Sequence, residues 1–127
     1  MSKIKISMKE KEFLNISEYI DAEIRNSDKK EGLCIVTVEN PAAALLLAEN
    51  SEDVLLDISE ELERLLPPRT NYLSEVSPYE AAGQTMAALL SQSKELIYTD
   101  KQRQNKTKDV FVYTMSVQNT DINIMCI

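Results

Sequence analysis

The sequence predicts one α+β domain, with three helices packed against a mixed or antiparallel sheet. First, 127 residues with 43% hydrophobic content are enough for one core and too few for two ordinary domains. Second, short strand-like and helical segments mingle without a regular βαβ alternation. Third, the last two apolar segments are separated by a short polar turn, which predicts an antiparallel hairpin. We therefore expect residues 1–127 to form a single domain.

The N-terminal part predicts two short strands followed by a helix. Lys3–Met8 alternates apolar with polar residues, and Glu12–Ile16 is a second short apolar segment. Asn15 and Glu18 have the spacing of a capping box, which predicts a helix over Ser17–Ser27. Isoleucines recur every four residues along this segment, so the helix should bury one apolar stripe.

The middle of the chain predicts a central strand and a long capped helix. Leu33–Val38 is a continuous apolar run, typical of a strand buried on both faces. The composition of Ala42–Ala48 favours a helix, but seven residues between two turns leave its structure open. The next helix should begin at Asn50-Ser51 and end before Pro67-Pro68. Its expected buried stripe consists of Val54, Ile58, Leu62 and Leu65.

A third helix is predicted by a specific start signal. Ser77 can cap it, Pro78 suits the first helical position, and Glu80 stands where a glutamate can reach back. The helix should extend to about Ser91, and Gly83 inside it indicates close approach of another backbone. Its expected buried stripe consists of Tyr79, Ala82, Met86 and either Leu89 or Leu90.

The C-terminal part predicts three strands. These are Glu95–Thr99, Val110–Val117 and Ile122–Ile127, with Gln118–Asp121 as the turn of a hairpin between the last two. The polar stretch Asp100–Lys108 carries four basic residues and predicts a mobile, solvated loop. Docking of an acidic partner is the alternative for this basic patch.

Composition excludes several classes of function. The net charge of −7 and the absence of tryptophan argue against a nucleic-acid partner, because phosphate backbones need a dense positive face. Two glycines are too few for the dinucleotide-binding fingerprint or a phosphate-binding loop. The chain has no histidine, so its function does not depend on imidazole.

The sequence also indicates the compartment. No apolar stretch is long enough to cross a bilayer and the first residues do not resemble a signal peptide, so we expect a cytoplasmic protein without a membrane partner. Cys34 and Cys126 both lie in apolar runs. In a reducing compartment they are expected to be small buried thiols rather than a disulfide.

Several consecutive segments resemble the YjbQ-like family. GLCIVTV, AAALLLAEN and SEDVLLDISEELERLLPP correspond to family stretches that read GLVxVFVPHTTAALTINEN and DPDVLEDLLEALERLVPP, and Asp53–Pro68 is the most specific match. The resemblance implies a homotrimer with a histidine site that holds a metal or an anion such as phosphate. Some members are described as secondary thiamine-phosphate synthases. The resemblance also implies that Ala42–Ala48 is a strand.

The departures from the family pattern fall on its functional residues. Asn40 stands where PHTT has its histidine, and Ala82 and Gln84 stand where NADAH has its aspartate and histidine. The GTWQ segment and the arginines after the penultimate strand are also missing. By resemblance, a remaining pocket would be lined by six residues, Asn40, Glu49, Ser74, Gln84, Glu39 and Glu80.

Two hypotheses from different classes follow. The first is a non-catalytic homotrimer, with a pocket for a neutral or cationic small molecule or with polar residues that only hydrogen-bond loops. The second is an enzyme related to secondary thiamine-phosphate synthase, in which Glu39, Glu49 or Glu80 acts as acid or base or binds Mg²⁺ or Ca²⁺. We expect no cofactor and assign no catalytic residue. A third hypothesis is pairing with a histidine-bearing paralogue.

Overall fold

Two antiparallel sheets and three helices make up the fold. The computed structural model describes residues 1–116 and 118–127. In chain order the elements are β1 (Ser2–Met8), β2 (Phe13–Asn15), α1 (Ser17–Arg25), β3 (Gly32–Val38), β4 (Ala43–Ala48), α2 (Glu52–Leu65), α3 (Pro78–Leu90), β5 (Ser93–Thr99), β6 (Gln102–Arg103), β7 (Asp109–Thr114) and β8 (Gln118–Cys126). The expected helices and strands are present, and β6 is a short strand that the sequence did not predict.

The strands divide between a larger and a smaller sheet. The five-stranded sheet has the order β1-β8-β3-β5-β6, and the three-stranded sheet has the order β2-β7-β4. Every strand pair in the described part of the chain is antiparallel. The α+β class is therefore confirmed, with antiparallel sheets. No helix among the described residues is long and apolar enough to span a membrane.

The three-stranded sheet is buried on both faces. Leu45 and Val112 belong to the core that includes the inner face of the five-stranded sheet and α1. Their neighbours Ala44 and Tyr113 belong to a second core with residues of α2 and α3. A strand covered on both sides is apolar at every position, so AAALLLA forms β4 despite its helix-favouring composition. The strand implied by the family resemblance is confirmed.

The buried stripe of α2 differs from the expected one at its end. Leu62 is buried and Val54 and Ile58 are partly buried, but Leu65 is 71% exposed. The helix ends at Leu65, and the following residue, Leu66, leaves helical geometry and packs against the second core instead. The prediction that Leu65 is a core residue is wrong.

Helix α3 buries small residues rather than its first aromatic one. Ala82 and Met86 are fully buried as expected, and of the alternatives Leu89 and Leu90 it is Leu90 that packs against the second core, whereas Leu89 is 71% exposed. Tyr79 is 38% exposed. The Tyr79 ring lies near the protein surface instead, and its centroid is 5.9 Å from Nζ of Lys11. Close packing of the helix on β4 leaves room for alanine rather than for a tyrosine ring, so the prediction for Tyr79 is wrong.

The predicted C-terminal hairpin does not form. β7 lies in the three-stranded sheet and β8 in the five-stranded sheet, so the two strands do not pair. Gln118–Asp121 is part of β8 and pairs with β1, although its residue types favour a turn. The expected strand over Val110–Val117 ends at Thr114 in the structure, and Val117 lies outside the described residues.

The helix starts are only partly as predicted. Ser77 Oγ accepts a hydrogen bond from the backbone N–H of Glu80, and Pro78 opens α3, which confirms that signal. Helix α1 has Ile16 at its N-cap position, so the capping box predicted at Asn15 is wrong by one residue. Asn15 Oδ1 still accepts a hydrogen bond from the Ser17 N–H at 3.0 Å. Ser51 occupies the N-cap position of α2 without a capping bond from its side chain.

The polar stretch before β7 is anchored at its centre by a buried arginine. Arg103 is 8% exposed; its Nε donates to Asp21 at 2.8 Å, and its Nη2 lies 3.4 Å from Asp109. Burial lowers the pKa of Arg103, but the hydrogen bond and charge of Asp21, helped by Asp109, outweigh burial and raise that pKa above its usual value. The expectation of a solvated loop is therefore wrong at Arg103, because α1 supplies a carboxylate that the sequence could not place.

Arg103→Ala should lower the free energy of unfolding by about 3 kcal/mol, because it leaves Asp21 and Asp109 partly buried without their cation. Arg103→Lys should recover part of this loss, since it keeps the charge but loses the guanidinium fork. Urea denaturation checks both variants. The control is Lys106→Ala in the same stretch, where the side chain is exposed and the change should stay within about 0.5 kcal/mol. Equal effects of Arg103→Ala and Lys106→Ala would contradict the anchoring role.

Candidate functional site

Asn40 is the centre of a hydrogen-bonded network at the turn between β3 and β4. Its Oδ1 accepts a bond from the Ala42 N–H at 2.8 Å. Its Nδ2 donates to Oε1 of Gln118 at 2.8 Å and to the Asn119 carbonyl at 3.1 Å. The amide has one acceptor oxygen and two N–H donors, so each of its polar groups has a partner within the fold.

Two further residues extend the network through the backbone of the same turn. The Asn40 N–H donates to Oγ1 of Thr120 at 3.0 Å. The side chain of Gln92 donates to the carbonyl oxygens of Asn40 at 2.6 Å and Ala43 at 2.9 Å. Gln92, Gln118 and Thr120 were missed by the sequence analysis, because they follow α3 or lie in β8 and no local pattern connects them with the turn.

Small residues fill the space between this turn and α3. Ala42 is 1% exposed and Ala82 is 0% exposed. A Cβ added to Gly83 would lie 3.2 Å from the carbonyl oxygen of Ala42 and 3.3 Å from its Cβ. The backbone approach predicted from Gly83 is confirmed, and it is made with Ala42, which stands where the resembled family has a hydroxyl. No space for a ligand remains between Gly83 and Ala42.

An open polar cavity of about 570 Å³ adjoins the network on the side of the five-stranded sheet. Glu39 and Asp121 supply its carboxylates, and Nζ of Lys3 lies 3.5 Å from the first and 3.8 Å from the second. Lys5 adds a second positive charge to the lining. Two cations therefore stand against two carboxylates, so the cavity has no strong excess of either charge. Its lining residues are Lys5, Ile6, Ser7, Glu39, Asn40, Asn119, Thr120 and Asp121.

The structure brings only two of the six predicted pocket residues, Glu39 and Asn40, into this cavity. Glu49 is exposed and lines a different cavity of about 340 Å³, together with Thr107 and Lys108. The other three are Ser74, which is exposed in the loop before α3, and Glu80 and Gln84, which are half-buried on that helix. Within one chain, the six predicted residues therefore do not line a single pocket.

The described residues contain no group of three or more histidine, cysteine, aspartate or glutamate side chains placed to hold a metal ion. The two carboxylates of the polar cavity, Glu39 and Asp121, both form ion pairs with Lys3, which neutralises part of their negative charge. The arrangement can therefore hydrogen-bond a small polar molecule, with amides and hydroxyls as donors and acceptors.

Comparison with known proteins gives a consistent result. A family model described as UPF0047 protein YjbQ-like matches residues 2–119. An uncharacterized conserved protein of the yjbq/upf0047 family from Clostridium acetobutylicum superimposes with a TM-score of 0.89 at 15% identity, over 100% of both chains. A YbjQ-like protein of unknown function from Sulfolobus solfataricus gives 0.86 at 15% identity, over 98% of this chain and 94% of that one. A conserved hypothetical protein from Thermus thermophilus gives 0.85 at 15% identity, over 100% of both chains. No curated protein matches significantly.

Asn40→Ala should destabilise the protein by about 1–3 kcal/mol, because it removes three hydrogen bonds and leaves the buried Ala42 N–H without a partner. Asn40→Asp should cost a comparable amount. It keeps the acceptor for Ala42 but turns a carboxylate towards the oxygens of Gln118 and Asn119. Thermal and urea unfolding measure both variants.

The control is Asn119→Ala, which removes an exposed side chain from the same region. It should change the free energy of unfolding by less than about 0.5 kcal/mol. If Asn40→Ala were as stable as the native chain, the network would have no structural role, and Asn40 would be better interpreted as a ligand-binding residue.

Proposed function

Because this chain belongs to the UPF0047 YjbQ-like family, we propose that it is a divergent member that forms a homotrimer and performs no family-type catalysis. Its biological role would then be binding or structural. One observation carries the proposal: Asn40, at the position of the family histidine, uses all of its polar groups inside its own fold.

The chemistry of the other positions supports the same conclusion. The chain has no histidine to bind a transition metal or to transfer protons near neutral pH. Amide side chains such as Asn40 and Gln84 can hydrogen-bond, but they bind transition metals poorly. Ala42, at a position where the family pattern has a hydroxyl, is in near contact with Gly83, so a substrate would have no access between them.

The cavity beside Asn40 supports the proposal of a retained small-ligand pocket. Its two carboxylates are nearly balanced by Lys5 in the lining and by Lys3 beside them, and the remaining lining is made of amides, hydroxyls and Ile6. Such a lining suits a neutral or cationic polar molecule better than a phosphate, because no arginine is present to hold an anion by two hydrogen bonds. We propose this cavity as the pocket and leave Glu49, Ser74 and Gln84 outside it.

An exposed apolar patch supports homotrimer formation. Leu33 pairs with Ile97 across β3 and β5, and Ile35 pairs with Met125 across β3 and β8. These side chains share the outer face of the five-stranded sheet, which no helix covers, and Ile97 is 54% exposed and Met125 40% exposed. A contiguous apolar patch of this kind marks an association surface. We propose that three copies bury it against one another.

One observation favours the alternative of an enzyme with a remodelled carboxylate site. Glu39 and Asp121 both line the polar cavity and lie within 4 Å of the same lysine, Lys3. Displacement of the lysine by Mg²⁺ or Ca²⁺ would convert the pair into an oxygen-ligand site. This alternative predicts a chain that hard cations stabilise, which the first proposal does not.

The trimer proposal predicts a mass near 43 kDa in solution, three times the 14.4 kDa of one chain, by light scattering coupled to size exclusion. Ile97→Glu should convert the trimer to monomers while the far-ultraviolet circular dichroism stays unchanged, because a carboxylate cannot be buried without a partner. Leu89→Glu is the control, since it adds the same charge at an exposed leucine of α3. Two results would reject this association surface. One is a native chain that is monomeric in solution, and the other is a trimer that dissociates with Leu89→Glu but not with Ile97→Glu.

A thermal-shift screen tests the pocket and the enzyme alternative together, because a ligand that binds only the folded state raises Tm. The screen contains Mg²⁺, Ca²⁺, inorganic phosphate, thiamine precursors and neutral or cationic metabolites. We expect no response to the cations or to phosphate. A rise of Tm with Mg²⁺ that disappears in Glu39→Gln, but persists in the control Glu49→Gln, would overturn the non-catalytic proposal in favour of the alternative.

A further inference from the structure

The two cysteines of the chain are direct cross-strand neighbours. Cys34 in β3 is paired with Cys126 in β8 in the antiparallel register. Both are free thiols in the structure. Directly opposed residues point to the same face of a sheet. Here that is the inner face, because Cys34 is fully buried and Cys126 packs against the same core.

The position of this pair within the ladder brings the two side chains close. Leu33 and Ile127, the adjacent pair, exchange both N–H···O=C bonds at 2.8 Å. Hydrogen-bonded and non-hydrogen-bonded pairs alternate along an antiparallel ladder, so Cys34 and Cys126 form a non-hydrogen-bonded pair. The Cα atoms of such pairs are typically about 4.5 Å apart. A disulfide needs a Cα separation of about 4.4 to 6.8 Å, which this position meets.

The two thiols differ in their access to solvent. Cys34 is 0% exposed, whereas Cys126 is partly exposed and lines a cavity of about 360 Å³. Burial raises the pKa of Cys34 and of Cys126. An oxidant therefore meets Cys126 first, because its side chain is the more accessible of the two.

We propose that Cys34 and Cys126 form a modification site at which a peroxide closes a reversible cross-strand disulfide. Sγ of Cys126 attacks one oxygen of hydrogen peroxide, the O–O bond breaks, and the thiol proton leaves with the second oxygen as water. The sulfenic acid on Cys126 is then attacked by Sγ of Cys34. The S–S bond forms, the S–O bond breaks, and the proton of Cys34 leaves with the hydroxyl group as a second water. Two thiols are oxidised by two electrons, and one peroxide is reduced.

The disulfide would join the last strand of the chain to the central strand of the larger sheet. The covalent loop would enclose all of the chain between β3 and β8. Cross-links that close long loops restrict the unfolded chain most strongly, so oxidation should raise Tm, and a reductant should restore the original value. Because burial disfavours the thiolates, the reaction with peroxide should be slow and need an excess of oxidant.

The test treats the purified full chain with excess hydrogen peroxide and measures its intact mass under denaturing conditions. The native chain should lose two hydrogens, about 2 Da, and a proteolytic map without reductant should show the peptides of Cys34 and Cys126 linked. Its Tm should rise by roughly 5 °C or more and return with dithiothreitol. Cys126→Ser is the matched variant, because its side chain is only partly buried and the fold should survive. It should show no loss of 2 Da and no rise in Tm.

Other products would overturn the proposal. These are a native chain that keeps two free thiols, one that gains about 32 Da as a sulfinic acid, and one that links to a second copy through Cys126. A linked chain whose Tm does not rise would overturn the stabilising role. The test does not depend on the oligomeric state or on any ligand, so its result is independent of the proposed function.

Discussion

The burial of β7 on both faces is the constraint on which the rest of the structure depends. Every residue from Val110 to Met115 is at most 2% exposed. Residues of this strand enter both cores: Val110 and Val112 face the larger sheet and α1, whereas Tyr113, like Met115 just after the strand, faces α2 and α3. Because one strand has to be covered on two sides, the five-stranded sheet with α1 lies on one side of it and α2 and α3 lie on the other, with α3 close against β4.

This constraint also explains how much the sequence could predict. Helix starts and stops depend on near neighbours, so Ser77, Pro78 and the proline pair after α2 located two helices well. The identity of β4 could not be read locally, because its alanines and leucines favour a helix and only pairing with β7 makes them a strand. The hairpin prediction failed for the same reason, because residues 118–121 have turn-favouring residue types and only pairing with β1 makes them part of a strand.

The candidate site was predicted in part. The turn containing Glu39 and Asn40 was found through the family resemblance, and both residues line the polar cavity. Gln92 and Gln118 were not found, because they reach the turn from distant parts of the chain. A carboxamide at the histidine position fits this environment. It supplies one acceptor oxygen and two N–H donors, and its surroundings offer one donor, the Ala42 N–H, and two acceptors, the oxygens of Gln118 and Asn119. Neutral imidazole has one donor and one acceptor and could not satisfy all three.

Strand β8 connects the three features that distinguish the chain. Near its start, Gln118 and Thr120 hydrogen-bond Asn40. Near its end, Met125 points outward into the apolar patch, and the next residue, Cys126, points inward to Cys34. Since neighbouring residues of a strand face opposite sides, a change at the cysteine pair acts on the same backbone that carries the patch. The non-catalytic interpretation is consistent with this arrangement, because the strand supplies the hydrogen-bond partners of Asn40 and no histidine of the kind that family-type catalysis would need.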